Sequence, residues 1–248
     1  MKVADILKSF GWNVINPFLL KIKKNKKYKF PEGYHGLNIG CGLHNPPNWV
    51  GIDGGFSHYV VHRMPRFMLK PFFKKFSMAK NYSFDEYYSH LHSFKLIHHE
   101  LTYDLPFSDN VVPNIYSSHF FEHLFKEQTE HLLKECFRVL TPNGRIRICV
   151  PSLEEAVGGM ERAIENYKKG DIEAVQPYLT SEIVGFNSVY SNHRFMYDAQ
   201  TLKEVLEKAG FVSVEQFSEK TGKITDVELL DTRGGLFMEG VKPATNNQ

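Results

Sequence analysis

The sequence predicts an α/β fold with a doubly wound, mostly parallel sheet. From Gly36 onward, short β-rich runs alternate with segments of helical periodicity, which is typical of parallel strands joined by crossover helices. Two successive runs, LNIG and WVGID, end on a glycine and on Asp53, where a doubly wound sheet places its ligand-binding edge. The 248 residues suffice for one core. We expect a helical and basic N-terminal arm (1–35), a main domain (36–241) and a disordered tail (242–248).

The individual elements are predicted from periodicity and stop signals. Lys126–Leu140 carries its apolar residues on one helical face, and the TPNG segment at 141–144 ends that helix and turns into the next strand. Asp198–Ala209 is the clearest helix, with Asp198 as its N-cap and Gly210 as its stop. The candidate strands are Leu37–Gly40, Trp49–Asp53, Phe94–Leu101, Val112–Ser118, Arg145–Val150, Val212–Phe217 and Gly235–Val241.

The first crossover is predicted to be truncated. Only eight residues separate Gly42 from Gly51, and they include the pair Pro46-Pro47. Proline restricts the residue before it and has no amide donor, so a long helix does not fit here. We expect a loop or a single turn, and a more open rim at this edge that the N-terminal arm or the segment 54–100 covers.

The segment 54–100 is an insertion of unusual composition. It holds eleven of the 34 aromatic residues, six of the twelve histidines, and seven Lys/Arg against three Asp/Glu. Such a segment is too apolar for a free loop. We interpret it as a helical lid or substrate-recognition insert; the alternative is that it simply covers one face of the sheet.

Composition excludes several classes of function. The net charge of +2 is too small to argue for a nucleic-acid partner. Cys41, Cys136 and Cys149 lie in apolar stretches without paired spacing and are expected as reduced core residues. No apolar run reaches the roughly 18 residues of a spanning helix, and Asp5 and Lys8 interrupt any signal core. A cytoplasmic protein is predicted.

Residues 21–29, KIKKNKKYK, form a basic run. One interpretation is a solvated linker, and the other is a peripheral contact with anionic membrane lipid or with a polyanionic substrate. Nothing in the sequence indicates an oligomeric state.

The glycine pair alone is weak evidence for a ligand. A dinucleotide fingerprint needs a third glycine where Asn45 stands, and no Gly-Lys-Ser/Thr follows to form a P-loop. A nucleoside-type ligand without phosphates fits better. Gly40 and Gly42 would let it approach the backbone, and Asp53 can accept hydrogen bonds from a ribose diol.

Further motifs follow in order: LNIGCG, VGID, TYDLPFSDN, IYSSHFFEHL and ECFRVLTPNGRIRICVPS. In this combination, from Gly36 to Phe217, the sequence resembles the class I S-adenosylmethionine-dependent methyltransferases. It is most similar to the branch predicted to act in polysaccharide and cell-surface sugar pathways. The resemblance implies a Rossmann-like sheet of seven strands with an antiparallel last strand, and S-adenosyl-L-methionine as the cofactor.

The resemblance also implies cofactor-binding residues. Asp53 would hold the ribose hydroxyls, and Asp104 with the Leu105 backbone would lie at the adenine. Ser118, at the end of the fourth strand, would lie near the sulfonium. The full implied set is Asn38, Gly40, Cys41, Gly42, Asp53, Asp104, Leu105 and Ser118.

Two positions depart from the family pattern. Many members have an acidic residue where this chain has Asn38, which still accepts a hydrogen bond but brings no charge. His44 replaces the third glycine of the broader pattern. The acidic residue that Asn38 replaces usually reaches the amino group of the methionine part; both changes concern the exact cofactor contacts and not the class of cofactor.

Three histidines are candidate catalytic residues: His119, His123 and His193. Methyl transfer is an in-line displacement, and an alcohol acceptor must also lose its proton to a base, for which histidine is suited. His119 and His123 lie one turn apart if the helix has begun, so that both would face the cleft. Alternatively, His123 orients the helix start. Glu122 and His123 match the family's Glu-His pair at the start of the following helix, and Glu122 is assigned to the acceptor.

A polar cluster, SNHRFMYD, leads into the C-terminal helix. Arg194 and Tyr197 are candidate substrate-binding residues on a connection that the resemblance places over the acceptor, and Arg194 suits a carboxylate or phosphate. Equally, Arg194 forms a salt bridge with Asp198 or Glu182, and His193 caps a helix. No metal is expected, because no His/Cys/carboxylate set has ligand spacing along the chain.

The leading hypothesis is O-methylation of a sugar or glycan hydroxyl, on an acceptor that is small or polymeric and in some cases anionic. A second hypothesis is a methyltransferase-like binding subunit that has lost the chemistry. A third is an NAD-dependent enzyme acting on sugar nucleotides, which the missing third glycine and the lack of a Tyr-x-x-x-Lys pair disfavour.

Overall fold

The computed structural model describes residues 11–75, 82–152, 165, 168–170 and 193–244. Seven strands form one mixed sheet in the order β3-β2-β1-β4-β5-β7-β6, which confirms the Rossmann-like α/β class with an antiparallel last strand. The chain divides into two compact units, the first ending at Ser108 and the second beginning at Asp109. The strands are β1 Gly36–Ile39, β2 Trp49–Asp53, β3 Lys95–His98, β4 Val112–Ser118, β5 Leu140–Val150, β6 Val212–Phe217 and β7 Leu236–Val241.

The helices in the described part of the chain are short to medium in length. Among these residues, no helix combines the length and apolar character needed to cross a membrane. Short single-turn segments lie at Gly11–Ile15, Lys70–Lys75 and Phe121–His123. The α-helices are α1 Asn16–Lys23, α2 Phe56–Arg63, α3 Arg66–Leu69, α4 Phe84–His92, α5 Lys126–Val139, α6 Ala199–Lys208 and α7 Val227–Leu230.

In the first unit, β1, β2 and β3 are parallel neighbours. Every residue of β1 is buried, and so is every residue of β2 except Asp53, so both faces of these strands are covered, as parallel strands require. Residues 40–48 contain turns and no helix, as Pro46-Pro47 predicts.

The insertion forms α2, α3 and α4 and has a small core of its own. Ser83 caps α4 by accepting from the Glu86 amide, and the Glu86 carboxylate accepts from the Ser83 amide in return. This core is one cluster of buried apolar side chains: Val61, Leu69, Phe73, Tyr87 and Leu91. Residues 76–81 of the insertion lie outside the described residues. The helical character of the segment agrees with the sequence prediction, and its role as a lid stays a prediction.

The N-terminal arm lies against the carboxyl end of β2. The Asn16 side-chain amide donates to the Gly54 carbonyl at 3.0 Å, and the Trp12 and Phe56 rings meet edge to face with centroids 6.5 Å apart. The first ten residues of the arm lie outside the described residues. The described part of the arm therefore packs on the residues that follow β2, and its coverage of the rim left by the truncated crossover stays a prediction.

The basic run 21–29 is mostly exposed, and three of its lysines, Lys23, Lys24 and Lys26, lie over aromatic rings. The Lys23 ammonium is 4.0 Å from the Tyr59 ring centroid, and that of Lys24 is 4.8 Å from Tyr103. These cation–π contacts hold part of the run on the first unit. They explain the position of these lysines without a membrane contact. A contact with anionic lipid stays a prediction.

In the second unit, β4 and β5 are parallel, and β7 runs antiparallel to both β5 and β6. Helix α6 begins as predicted: the Asp198 carboxylate accepts from the Thr201 amide at 2.7 Å. It ends at Gly210, whose φ of +104° suits glycine.

Two predicted strand boundaries were wrong by more than one residue. Strand β3 ends at His98 instead of Leu101, because Glu100 starts a turn in which its carbonyl accepts from the Tyr103 amide at 3.1 Å. Strand β5 starts at Leu140, so the predicted TPNG turn at 141–144 lies within it. The Asn143 amide donates to the Lys242 carbonyl at 2.9 Å. That pairing keeps the segment in the sheet, with a register shift opposite Val112 and Asn114. Residues 245–248 of the predicted tail lie outside the described residues.

Candidate functional site

The carboxyl end of β1 forms a tight glycine turn. Gly40 and Gly42 have φ values of +67° and +58°, a region that glycine enters at little cost. The Gly40 amide donates to the Ile52 carbonyl at 2.9 Å, which ties the turn to β2. The Asn38 side-chain amide donates to the His44 carbonyl at 3.3 Å. Asn38 therefore braces this turn, and its predicted contact with the cofactor stays a prediction.

Cys41 packs against β2 at a position that only glycine allows. A Cβ added to Gly51 would lie 2.7 Å from the Cys41 sulfur, closer than such contacts occur. Burial raises the pKa of the Cys41 thiol well above its ordinary value. The Cys41 side chain is therefore a packed thiol, and a ligand at this position would contact the Cys41 backbone.

Asp53, at the end of β2, holds the neighbouring loops together. One of its carboxylate oxygens accepts from the Gly42 amide at 2.9 Å, and the other accepts from the Gly55 amide at 2.6 Å. The His58 Nδ1 lies 3.0 Å from the second oxygen. Sequence reasoning missed His58, although it follows Asp53 by five residues on a segment rich in histidine.

The pKa values of Asp53 and His58 move apart. Burial raises the pKa of Asp53, but the charge and hydrogen bond of His58, together with the Gly55 and Gly42 amides, outweigh burial and lower it. Burial lowers the pKa of His58, but the Asp53 carboxylate outweighs that effect and raises it. Near neutral pH, Asp53 is therefore an anion.

Asp104 and Leu105 lie on the loop that follows β3. The Asp104 side chain is exposed, and its carbonyl accepts from His99 Nε2 at 2.9 Å. The Leu105 side chain is fully buried, which anchors the loop beside the exposed carboxylate. This is the arrangement that a contact from Asp104 to an adenine amine requires, and the contact stays a prediction.

Sequence reasoning also missed a buried polar cluster that ties the arm to β3. Nε2 of His98 lies 2.9 Å from the Asn16 side-chain oxygen, and the Lys23 ammonium lies 3.0 Å from Nδ1. The ring stacks on Tyr59 with centroids 4.3 Å apart. Burial, followed by the charge of Lys23, lowers the pKa of His98 to about 4.

This pKa predicts that the protein loses stability in mild acid. His98 binds a proton more readily in the unfolded chain than in the folded one. The free energy of unfolding therefore decreases as the pH drops from 6.5 toward 4. The loss for this group is on the order of 3 kcal/mol across that window. His98→Gln keeps both polar contacts but does not titrate, and should flatten this part of the profile. Urea unfolding at several pH values measures it; equal slopes in both proteins would contradict the role of His98.

In the second unit, β4 ends at Ser118, and His119 follows it. Ser118 is half-buried, and His119 has a φ of +51°, a conformation that few non-glycine residues adopt. The backbone turns sharply there, so His119 and His123 are not on one helix: Phe121–His123 is a separate single turn, and α5 begins at Lys126. The predicted helical relation between the two histidines was wrong.

His119 has an acceptor at each ring nitrogen. Nε2 donates to the Gly234 carbonyl at 3.1 Å, and Nδ1 lies 3.5 Å from a Glu122 carboxylate oxygen. Burial lowers the pKa of this ring, but its contacts with Cys149 and Glu122 outweigh burial and raise the pKa to about 10. A histidine with this pKa is an imidazolium near neutral pH, so it suits charge stabilisation better than proton abstraction.

Glu122, His123 and His193 meet in space. Glu122 is buried, at 1% exposure, and its carbonyl accepts from the amides of Arg194 (2.6 Å) and Phe195 (3.2 Å). These two bonds bring the segment that carries His193 against the turn that carries His123, and the two rings meet with centroids 5.1 Å apart. The structure therefore brings together three residues that the sequence analysis placed at the acceptor.

Arg194 and Tyr197 differ in their surroundings. Arg194 is exposed, and its guanidinium lies 4.9 Å from the centroid of the Phe125 ring. Tyr197 is 2% exposed, and its hydroxyl lies 3.5 Å from the Thr129 hydroxyl, so it packs against α5. The exposure of Arg194 suits its predicted role in substrate binding. The burial of Tyr197 does not suit the same predicted role for Tyr197.

Comparison with known proteins matches a part of this chain to a family model. Residues 37–148, just under half of the chain, match the family model described as a methyltransferase domain. A stretch of 93 residues is 31% identical to the demethylmenaquinone methyltransferase of Lactococcus lactis. That stretch is 38% of this chain and 36% of the relative, so the chain spans little more than a third of the relative it matches.

Solved structures of similar fold include methyltransferases. One is an S-adenosylmethionine-dependent methyltransferase from Archaeoglobus fulgidus, with 15% identity, coverage of 97% of this chain and 100% of that one, and a TM-score of 0.45. Another is phosphoethanolamine N-methyltransferase 2 of Haemonchus contortus, with 14% identity, coverage of 92% and 52%, and a TM-score of 0.44. The domain match supports a class I methyltransferase with S-adenosylmethionine as its cofactor; the sugar-pathway branch stays a prediction.

Proposed function

We propose that this protein methylates a hydroxyl group of a sugar or glycan, with S-adenosylmethionine as the methyl donor. One observation carries the proposal: Asp53, at the end of β2, accepts from the amide of Gly42 in the positive-φ glycine turn at the end of β1. A carboxylate beside an open glycine turn, at adjacent ends of parallel strands, suits a nucleoside cofactor.

The residues present fit this cofactor. A carboxylate offers about four acceptor positions, and the Gly42 amide, the Gly55 amide and His58 use three of those on Asp53. One position remains for a ribose hydroxyl. The backbone of the glycine turn would hold the methionine part, and Asp104 with Leu105 would hold the adenine.

The chemistry is an in-line displacement. When bound, the cofactor supplies a sulfonium methyl group; the acceptor oxygen forms a bond to that carbon while the carbon–sulfur bond breaks and sulfur keeps the electron pair. The protein positions the acceptor and receives its hydroxyl proton. We assign proton acceptance to His123 or His193. His119 has both nitrogens at acceptors, so we assign it to stabilising negative charge.

The insertion supports a sugar as the acceptor. Phe67 in α3 is 76% exposed, an aromatic ring of the kind that stacks on sugar faces. Arg63 lies over the Tyr59 ring at 4.2 Å, and Arg66 over the Phe84 ring at 5.3 Å, so cationic groups accompany the rings. This combination favours an anionic sugar or glycan as the methyl acceptor. The proposed location of the reaction is the cytoplasm.

Calorimetry followed by a transfer assay tests this function. We expect the protein to bind both S-adenosylmethionine and S-adenosylhomocysteine, and to transfer labelled methyl to at least one member of a panel of neutral and acidic sugars. His193→Ala should retain cofactor binding and lose most turnover, because the cofactor residues lie elsewhere in the chain. Absence of binding by either cofactor form would overturn the proposal.

A second candidate is a binding subunit that retains the fold without the chemistry. Asn38 favours it, because its side-chain amide is engaged by the His44 carbonyl and it brings no charge to the methionine part. Cofactor binding without turnover across the whole acceptor panel would favour this candidate over the enzyme.

A further inference from the structure

Glu122 is a buried carboxylate, at 1% exposure. Among the residues that the structure describes, neither of its carboxylate oxygens has a hydrogen-bond partner. Burying an ionised carboxylate in this way costs free energy unless a cation or hydrogen-bond donors compensate it. The histidines nearby are at longer range: His119 Nδ1 lies 3.5 Å and His123 Nε2 3.8 Å from the same Glu122 oxygen.

Two imidazoles flank this carboxylate in a fixed arrangement. The ligand atoms of Glu122, His123 and His193 all lie within 4.8 Å of one another. Glu122 and His123 share one short helical turn, and the Glu122 carbonyl holds the backbone next to His193 through the Arg194 and Phe195 amides. The three ligand atoms are therefore gathered by the backbone, and their proximity does not depend on long flexible side chains.

We propose that Glu122, His123 and His193 bind a divalent first-row metal ion, with zinc preferred. Two histidines and one glutamate form the ligand set of open, three-ligand zinc sites. Ligands at about 2.1 Å around a tetrahedral ion lie about 3.4 Å apart. The 3.8 Å between His123 Nε2 and the Glu122 oxygen is within a few tenths of an ångström of that spacing. The ligand atoms all lie within 4.8 Å of one another, so binding would draw the more distant ones together by side-chain rotation.

Three protein ligands leave at least one coordination position open. A hydroxyl bound there would release its proton to solvent water more easily, because the metal would stabilise the resulting alkoxide. The ion would then activate the acceptor, and His123 and His193 would act as ligands and not as proton acceptors. That role rests on the proposed function, whereas binding of the metal does not.

Metal binding is tested on the full chain, without a histidine tag and without cofactor or acceptor. After chelator treatment, Co²⁺ is added and its visible absorption is followed, and Zn²⁺ is then measured by displacement and by metal analysis after gel filtration. We expect one equivalent per chain, at least tenfold weaker binding in Glu122→Gln and His193→Ala, and unchanged binding in His92→Ala. His92 is an exposed histidine in α4 and serves as the matched control.

A second measurement covers variants that fold poorly. Zn²⁺ should raise the thermal unfolding temperature of the unmodified protein, because a ligand that binds the folded state stabilises it. The proposal is overturned if the unmodified protein binds no metal, if both ligand variants bind like the unmodified protein, or if His92→Ala loses the ion. Any of these results leaves S-adenosylmethionine binding and methyl transfer standing, because those are measured separately.

Discussion

Replacing Asp53 with alanine is expected to weaken S-adenosylmethionine binding by about 100-fold. The carboxylate accepts from the Gly42 amide at 2.9 Å and has one acceptor position left for the ribose. The substitution therefore releases the glycine turn and removes a ribose contact at the same time. Each hydrogen bond to a charged group contributes about 1.5–3 kcal/mol, and about 1.4 kcal/mol is a factor of ten in affinity. Titration calorimetry with the folded variant measures the loss.

Asp85→Ala is the matched control. Asp85 also lies in the first unit, but its side chain is 72% exposed and pairs with Arg66 at the surface. Its loss should leave cofactor affinity unchanged. Asp53→Asn should fall between the unmodified protein and Asp53→Ala, because an amide keeps one acceptor oxygen but presents a donor where the Gly42 or Gly55 amide now donates. Unchanged affinity in folded Asp53→Ala would refute the ribose assignment.

The parts of the fold and site that could be predicted from sequence are those set by local chemistry. The bounds of β2 and β4, the cap at Asp198 and the helix-free first crossover each follow from a few adjacent residues. The position of Asp53 at a strand end could also be predicted, because the apolar residues of β2 and Asp53 are adjacent in the sequence. The TPNG turn was a local prediction that failed, since its backbone pairs with Lys242, about a hundred residues further along the chain.

The parts that could not be predicted depend on residues far apart in sequence. No spacing rule along the chain connects Glu122 with His193, because the backbone bonds that join them form only in the folded unit. The expectation of no metal was based on spacing along the chain alone. Glu122, His123 and His193 come together in the folded chain without any such spacing, so the spacing is not evidence against a metal site. The cluster of His98, Asn16 and Lys23 was missed for the same reason: each residue alone looks like an ordinary surface position.

A buried arginine in β5 is the strongest case of such a distant arrangement. Arg147 is fully buried in a strand that reads as an ordinary core strand. Its guanidinium donates to Asp231 at 3.1 Å, to Glu239 at 2.9 Å and to the Ser218 carbonyl at 3.1 Å. Asp231 also accepts from the Lys220 amide at 2.8 Å. The three side chains are nearly free of water, so each charge depends on the others.

Arg147→Met should therefore destabilise the protein by about 3–5 kcal/mol, because it leaves the buried Asp231 without its cation and leaves Glu239 with only Arg145, 3.8 Å away. At this chain length that corresponds to a fall in Tm of about 10 °C. Arg66→Met is the control: Arg66 pairs with Asp85 at the surface, where the two side chains are 52% and 72% exposed, so its loss should cost about 1 kcal/mol or less. Thermal and urea unfolding measure both.

The cause of this loss can be separated from a loss of packing. Adding Asp231→Asn and Glu239→Gln to Arg147→Met removes the uncompensated charges while keeping side chains of nearly the same size. If the buried charges cause the instability, the triple variant should recover a substantial part of the loss, since replacing a whole buried ion network costs far less than breaking it. If the triple variant is no more stable than Arg147→Met, the guanidinium stabilises the unit by packing, for example on Phe237, whose ring centroid lies 4.7 Å away.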